Sequence, residues 1–286
     1  MNKRTETELR ECNMCPHNCG TDRFETAEGI CGMKAEISVS SYGPHFGEEP
    51  ELVGFGGSGT IFLAGCNLLC VFCQNYTISH YREGYDVSSE GLAEIMLRLQ
   101  DTGCDNINFV TPTHFTYQII EAIEIAKNND LILPIVWNSN AYEKVDTLNL
   151  LEGLVDIYMP DLKFYHDPVS KRLVNAKDYF DHASRAVLEM YRQVGDIVIK
   201  RGIIKRGLLI RHLVLPENES HTKDIIDFIA EKIGTDVYLN IMDQYRPCYK
   251  ASKFKEINSF VSPGIFNDHI SYAKSKGFKK PDYLYE

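Results

Sequence analysis

Ile61-Phe62-Leu63-Ala64-Gly65-Cys66-Asn67-Leu68-Leu69-Cys70-Val71-Phe72-Cys73-Gln74-Asn75 joins an apolar run of strand character to a tight loop with three cysteines spaced C-x3-C-x2-C. Three thiolates on one loop can hold three irons of a cubane cluster. Such clusters normally take four cysteine ligands, so the fourth iron stays free to bind something else. An open coordination position is what separates a reactive metal site from a structural one. The competing reading is a zinc loop, but zinc loops pair their cysteines two by two and usually supply a fourth ligand.

Beyond this stretch, short β-branched runs alternate with helical patterns, the sign of βα units around a parallel sheet. Thr60–Ala64 reads as the first strand, and strands follow at Asn106–Val110, Leu133–Trp137, Val155–Met159, Ile197–Lys200, Leu208–Leu215 and Val237–Ile241. Amphipathic helices are expected after Ser88-Ser89, with Leu92, Ile95, Met96 and Leu99 on one face, and at Tyr117–Lys127, Asp178–Val194, Asp224–Ile233 and Phe266–Lys276. Six βα-like repeats fall short of a closed eight-fold barrel. The expected class is α/β, a partial (β/α)6 TIM-type barrel with a small N-terminal cysteine-rich extension. Residues 1–50 form that metal-binding extension, 51–245 the barrel, and 246–286 a covering segment. Active residues of such folds gather at the carboxyl ends of the strands, where the cysteine loop lies.

With 286 residues, 44% of them hydrophobic, the chain can bury a full core. A net charge of −10 argues against nucleic acid as a partner. No apolar run approaches a membrane span, and the start lacks a signal peptide's apolar stretch, so a cytoplasmic location is expected. Grouped cysteines in such a chain point to metal ligation rather than disulfides. Cys12, Cys15, Cys19 and Cys31 form a second group, C-x2-C-P-x2-C followed by a fourth cysteine. Four thiolates suit either a tetrahedral zinc or an accessory iron–sulfur cluster. Cys104 and Cys248 carry no spacing signal and read as packing. The glycines of Gly54-Phe-Gly-Gly-Ser-Gly59 read as close backbone packing, since no Lys-Ser or Lys-Thr follows to make a phosphate loop.

The cysteine triplet, with Phe72 just before its last member, resembles the signature of the radical SAM enzymes. The resemblance implies a [4Fe-4S] cluster on Cys66, Cys70 and Cys73, whose open iron chelates the amino and carboxylate groups of S-adenosylmethionine. Reductive cleavage then yields a 5'-deoxyadenosyl radical for hydrogen abstraction. It also implies anaerobic oxidoreductase chemistry and an electron donor such as flavodoxin or ferredoxin. Gln74-Asn75 and Asp161-Leu162-Lys163 resemble motifs of the branch that activates glycyl radical enzymes such as pyruvate formate-lyase. The N-terminal cysteine group further resembles the PflX-like, or pyruvate formate-lyase activating enzyme-like, subgroup, so a glycyl radical enzyme is an implied partner.

The resemblance places Phe72, Asn75, Asn138, Ser139, Asp161, Lys163 and Arg211 at the S-adenosylmethionine site. Asn138-Ser139-Asn140 stands where the activases tend to carry Asp-Thr-Asn. After the second strand, Thr111-Pro112-Thr113-His114 replaces the usual Gly-Gly-Glu-type turn. His114, then Thr113, is the expected local ligand to the methionine ammonium. No catalytic acid, base or hydrogen donor is named by the sequence. The alternatives are radical modification of another peptide or a small molecule and, in a different class, a non-catalytic iron–sulfur or zinc-binding module.

Overall fold

The computed structural model describes residues 3–279. Its nine strands are β1 (Ile37–His45), β2 (Ser58–Leu63), β3 (Tyr85–Val87), β4 (Asn106–Val110), β5 (Ile135–Ser139), β6 (Ile157–Pro160), β7 (Val198–Lys200), β8 (Ile203–Leu213) and β9 (Tyr238–Met242). They share one sheet. In it, β2, β4, β5, β6, β8 and β9 run parallel in chain order. This is the expected six-fold parallel unit, and it is not closed. On one side β1 pairs antiparallel with β2 and β3 extends beyond it, while on the other β9 pairs with β8.

Two parts of the sheet differ from expectation. The run at Ile197–Lys200 is a strand, but β7 folds antiparallel onto β8 as a hairpin instead of forming a stave of the barrel. Arg201 and Gly202 turn the chain there with φ of 55° and 80°, the left-handed pair that a tight hairpin requires. The edge strands β1 and β3 are not expected from the sequence, because β1 is polar and contains Gly43 and Pro44, and β3 is three residues long, so neither shows a sustained apolar alternation.

Period-two alternation divides the barrel strands between two environments. Ile135, Trp137, Tyr158, Leu208 and Ile210 join the large core under the outer helices. Val136, Ile157, Met159, Leu209 and Tyr238 form a separate core with Leu52. Continuing up that second face two residues at a time leads to Asn138, Asp161, Arg211 and Asn240. The face is thus apolar at the amino ends of the strands and polar toward their carboxyl ends.

The outer helices follow their apolar stripes. In Ser89–Asp101 the buried residues include Leu92, Ile95, Met96 and Leu99, and the Ser88 hydroxyl caps the helix by accepting from the Gly91 N–H at 3.2 Å. Gly56 and Gly59 lie where any Cβ would strike the Gly103 and Asn106 carbonyls, which accounts for the glycine-rich approach to β2. At the amino end, Arg23 is 1% exposed. Its guanidinium donates to the carbonyls of Met33, Lys34 and His114, tying the cysteine-rich segment to the turn after β4. Past β9, the Lys250 N–H donates to Val71 O at 2.9 Å, bringing the later chain against the cysteine loop. Residues 280–286 of the expected covering segment lie outside the described residues. No helix among the described residues is long and apolar enough to cross a membrane.

Candidate active site

The carboxyl end of β2 runs directly into the cysteine loop, which is clamped from two sides. The Val71 N–H donates to Leu173 O at 2.9 Å, and Val71 O accepts from Lys250. Phe72 is buried edge-on against Phe164 and Tyr245, with ring centroids 6.3 and 5.8 Å away. Cys66, Cys70 and Cys73 open on a cavity of about 430 Å³. Donors already point at the sulfurs. The Leu68 N–H lies 3.4 Å and the Asn140 amide 3.6 Å from Cys66 Sγ, and the Ser79 hydroxyl lies 3.1 Å from Cys73 Sγ. Burial pushes the Cys66 and Cys70 thiols up. Metal ligation is what makes thiolates at such positions. Three thiols on one loop, donors aimed at sulfur and an adjoining cavity fit a cubane cluster with one open iron.

The opposite wall comes from the ends of β5, β6 and β8. Asn138, Ser139, Asp161, Lys163 and Arg211 line the same cavity as Phe72 and Asn75. Lys163 Nζ and Asp161 Oδ2 are 2.6 Å apart. Burial opposes the charge on Lys163, but Asp161 outweighs it, so its pKa is raised and it stays an ammonium. Arg211 is paired within the chain. Its Nε donates to Glu49 Oε1 at 2.8 Å, and its Nη2 reaches Glu48 and Glu49. Asn240 adds a bond of 2.6 Å to Glu49, and Asn108 one of 3.2 Å to Glu48. These acids stand in the connection between β1 and β2, which inserts among the barrel strands beside Leu52.

Thr113 and His114, named for the methionine ammonium, lie apart from that wall. Both are buried, and neither lines the cavity. His114 Nε2 meets Ala64 O at 2.7 Å, behind the start of the cysteine loop. The Thr113 hydroxyl donates to Glu143 Oε1 at 3.0 Å. From this turn it is Thr111 that faces the cavity. Its φ is 60°, a left-handed conformation costly for a β-branched residue and of the kind that collects at functional sites.

Two further groups were not readable from the sequence. Glu143, 2% exposed, accepts from Trp137 Nε1, Ser139 Oγ and Thr113 Oγ1 at 2.9, 2.7 and 3.0 Å. Burial raises its pKa against the pull of those three donors. The network ties the ends of β4 and β5 together and turns the Ser139 hydroxyl toward Glu143. Tyr179, fully buried, accepts from the Lys163 N–H at 3.0 Å. Its hydroxyl is shared between Asn140 O and Asp161 O at 2.9 and 2.8 Å. Tyr179→Phe is therefore expected to cost about 1–3 kcal/mol, because it leaves buried backbone groups unpaired beside Asp161. Urea unfolding measures that loss.

Burial of histidines behind the site gives the fold a pH dependence. It lowers His114 to about 3 and His212 to about 4, so both are neutral in the folded chain. Unfolded histidine titrates near about 6.5. The unfolded state therefore binds the extra protons between those values. The stability these residues contribute is full above the unfolded pKa and is lost as pH falls below it. Each contributes a slope approaching about 1.4 kcal/mol per pH unit between pH 6 and 4. Unfolding free energies across that range should flatten in His114→Gln.

At the amino end, Cys12, Cys15, Cys19 and Cys31 come together in one compact loop set. The Cys12 N–H donates to Thr21 O and its carbonyl accepts from Gly20, at 3.0 and 2.9 Å. A Cβ on Gly29 would lie 3.6 Å from Cys19 Sγ, which places Cys19 against the approach to Cys31. Burial pushes Cys15 up to about 12, with Cys31, Cys12 and Cys19 adding to it as neighbouring negative charges. Cys104 is a buried thiol away from both groups.

A family model described as the radical SAM superfamily matches residues 60–229. An uncharacterized protein of Methanocaldococcus jannaschii is 36% identical over 263 residues, covering 87% of this chain and 70% of that protein. A second uncharacterized protein of the same organism is 23% identical over 262 residues, covering 84% and 71%. Among solved structures, HydG, a maturase of the [FeFe]-hydrogenase, aligns with a TM-score of 0.52 at 15% identity. That alignment covers 75% of this chain and 48% of the maturase, so the chain spans about half of its neighbour, and the likeness is one of fold. With the family model spanning more than half of its residues, from the strand before the cysteine loop through most of the barrel, the chain belongs to the radical SAM superfamily.

Proposed function

We propose that this chain cleaves S-adenosylmethionine reductively at a [4Fe-4S] cluster held by Cys66, Cys70 and Cys73, and uses the resulting radical to abstract a hydrogen atom. The observation that carries the reading is the placement of three thiols of one loop across a cavity from Asn138, Asp161, Lys163 and Arg211. When bound, the cluster supplies the electron and an iron to chelate the methionine end. The chain's own residues position and protect. Phe72 and its aromatic neighbours keep water from the cluster side. Leu68, Asn140 and Ser79 donate toward sulfur, which tunes the cluster's potential. The Asp161–Lys163 pair fixes two opposite charges at the mouth, suited to a zwitterionic ligand.

Within this reading, activation of a glycyl radical enzyme is supported by Asp161-Leu162-Lys163 and Gln74-Asn75, with a flavodoxin or ferredoxin as electron donor. Modification of another peptide or a small molecule is the second reading. It is favoured by the Thr111–His114 turn, which departs from the better-known activases and points its histidine away from the cavity.

The deciding experiment is EPR of anaerobically reconstituted, dithionite-reduced protein with and without S-adenosylmethionine, with product analysis. A reduced-cluster signal that shifts on addition, together with release of 5'-deoxyadenosine, is expected. An unchanged signal leaves the non-catalytic module. Appearance of a glycyl radical signal in an added glycyl radical enzyme would select the activase. Turnover of a substrate with no protein partner would select the second reading.

A further inference from the structure

The four N-terminal cysteines are separated from the catalytic triplet by 34 residues or more in sequence, yet their loops meet it in space. His17 Nε2, two residues after Cys15, lies 2.6 Å from Asn67 O, and Asn67 directly follows Cys66. The Asn67 side chain is bonded to Asn140, which also points at Cys66 Sγ. On the other side, a Cβ on Gly65 would stand 3.0 Å from Cys31 O. With consecutive Cα atoms about 3.8 Å apart, the Cα atoms of Cys31 and Cys66 are separated by no more than about 11 Å. Both flanks of Cys66 thus touch segments that carry cysteines of the other group.

The place of the group, against the loop of the triplet, indicates what it holds. Zinc has no redox chemistry and would gain nothing from lying beside Cys66, whereas an iron–sulfur cluster there can exchange electrons with its neighbour.

We infer that Cys12, Cys15, Cys19 and Cys31 hold a second, fully ligated [4Fe-4S] cluster that passes electrons to the first. Four cysteines leave it no open iron, so it suits electron transfer and not substrate binding. One electron moves from a low-potential protein donor of the flavodoxin or ferredoxin class to this cluster and then to the cluster at Cys66. From there it enters the sulfonium, whose S–C5' bond breaks to give methionine and the 5'-deoxyadenosyl radical. The inference rests on the function proposed above, but its failure can be told apart from the failure of that function.

The test compares the reconstituted chain with Cys15→Ala/Cys31→Ala and with Cys66→Ala/Cys70→Ala/Cys73→Ala. The native chain should hold about eight irons and no zinc, and each variant about four irons. The triplet variant should keep a reduced-cluster EPR signal blind to S-adenosylmethionine, whereas the N-terminal variant should keep one that responds to it. The fully reduced native chain should show spin–spin broadening that both variants lose. Reduction of the responding cluster by reduced flavodoxin should slow by at least about tenfold in the N-terminal variant, a barrier increase of about 1.4 kcal/mol. Dithionite should reduce it equally in both proteins.

Zinc in place of the second set of irons in the native chain overturns the inference even if neither variant folds, and leaves the proposed function standing. Absence of broadening, or equal rates with flavodoxin, overturns the relay. A remaining cluster in the N-terminal variant that ignores S-adenosylmethionine would sink the proposed function instead.

Discussion

A Cys70→Ala protein is expected to release no measurable 5'-deoxyadenosine, a loss of at least about 10³-fold, or about 4 kcal/mol of barrier. The chain should remain folded. Cys70 sits in a loop whose backbone is held by Leu173 and Lys250 rather than by its own side chain, and alanine fits where the buried thiol stood. Iron content should fall, and the EPR response to S-adenosylmethionine should vanish. Cys104→Ala, at a buried thiol outside both cysteine groups, is the control. It should keep its iron and its turnover, at a stability cost from the small cavity alone. Liquid chromatography of the nucleoside product, with iron analysis, reads both results.

Arg211→Met is expected to destabilise the fold by about 3–5 kcal/mol, because it strands two carboxylates for which Arg211 is the cation at hydrogen-bonding distance among the described residues. Glu49 is 3% exposed. Burial raises its pKa and the Arg211 guanidinium more than reverses that, leaving it lowered. A carboxylate whose folded pKa is depressed stabilises the fold above its unfolded value, and that contribution fades as pH falls through the folded value. In Arg211→Met the shift reverses sign, so urea unfolding should show the deficit at pH 7 and a smaller one near pH 4. The combination Glu48→Gln/Glu49→Gln/Arg211→Met removes the stranded charges and should recover most of the loss.

What could be read from the chain alone was what is local. The cysteine loop, the parallel strands and the carboxylate and ammonium two residues apart at Asp161 and Lys163 are all patterns within a few residues. Their geometry follows from strand and loop periodicity. The hairpin of β7 and β8 was half legible: the strand residues were apolar and β-branched, while the turn at Arg201-Gly202 was hidden among the basic residues Lys200, Arg201, Lys205 and Arg206. What escaped was what distant segments build together. Glu49 meets Arg211 across 162 positions, and Tyr179 bonds Asn140 across 39. Glu143 looks like any surface acid until Trp137, Ser139 and Thr113 close over it. The orientation of His114 has the same origin. The turn after β4 borders the cavity through Thr111, whose φ of 60° decides which of its side chains faces it, and no residue type announces that angle.

The connection between β1 and β2 imposes an order of assembly. Glu49 bonds Asn240 across 191 positions, and Glu51 accepts from Tyr238 across 187. A chain emerging from the ribosome exposes these acids early, and their partners on the last strand appear only when most of the protein has been made. The segment cannot seat until β9 has joined β8, so the interior must be completed late, after the slow closure of long loops. That connection therefore waits on β9, and truncation before Tyr238 should leave the barrel's inner face unfilled.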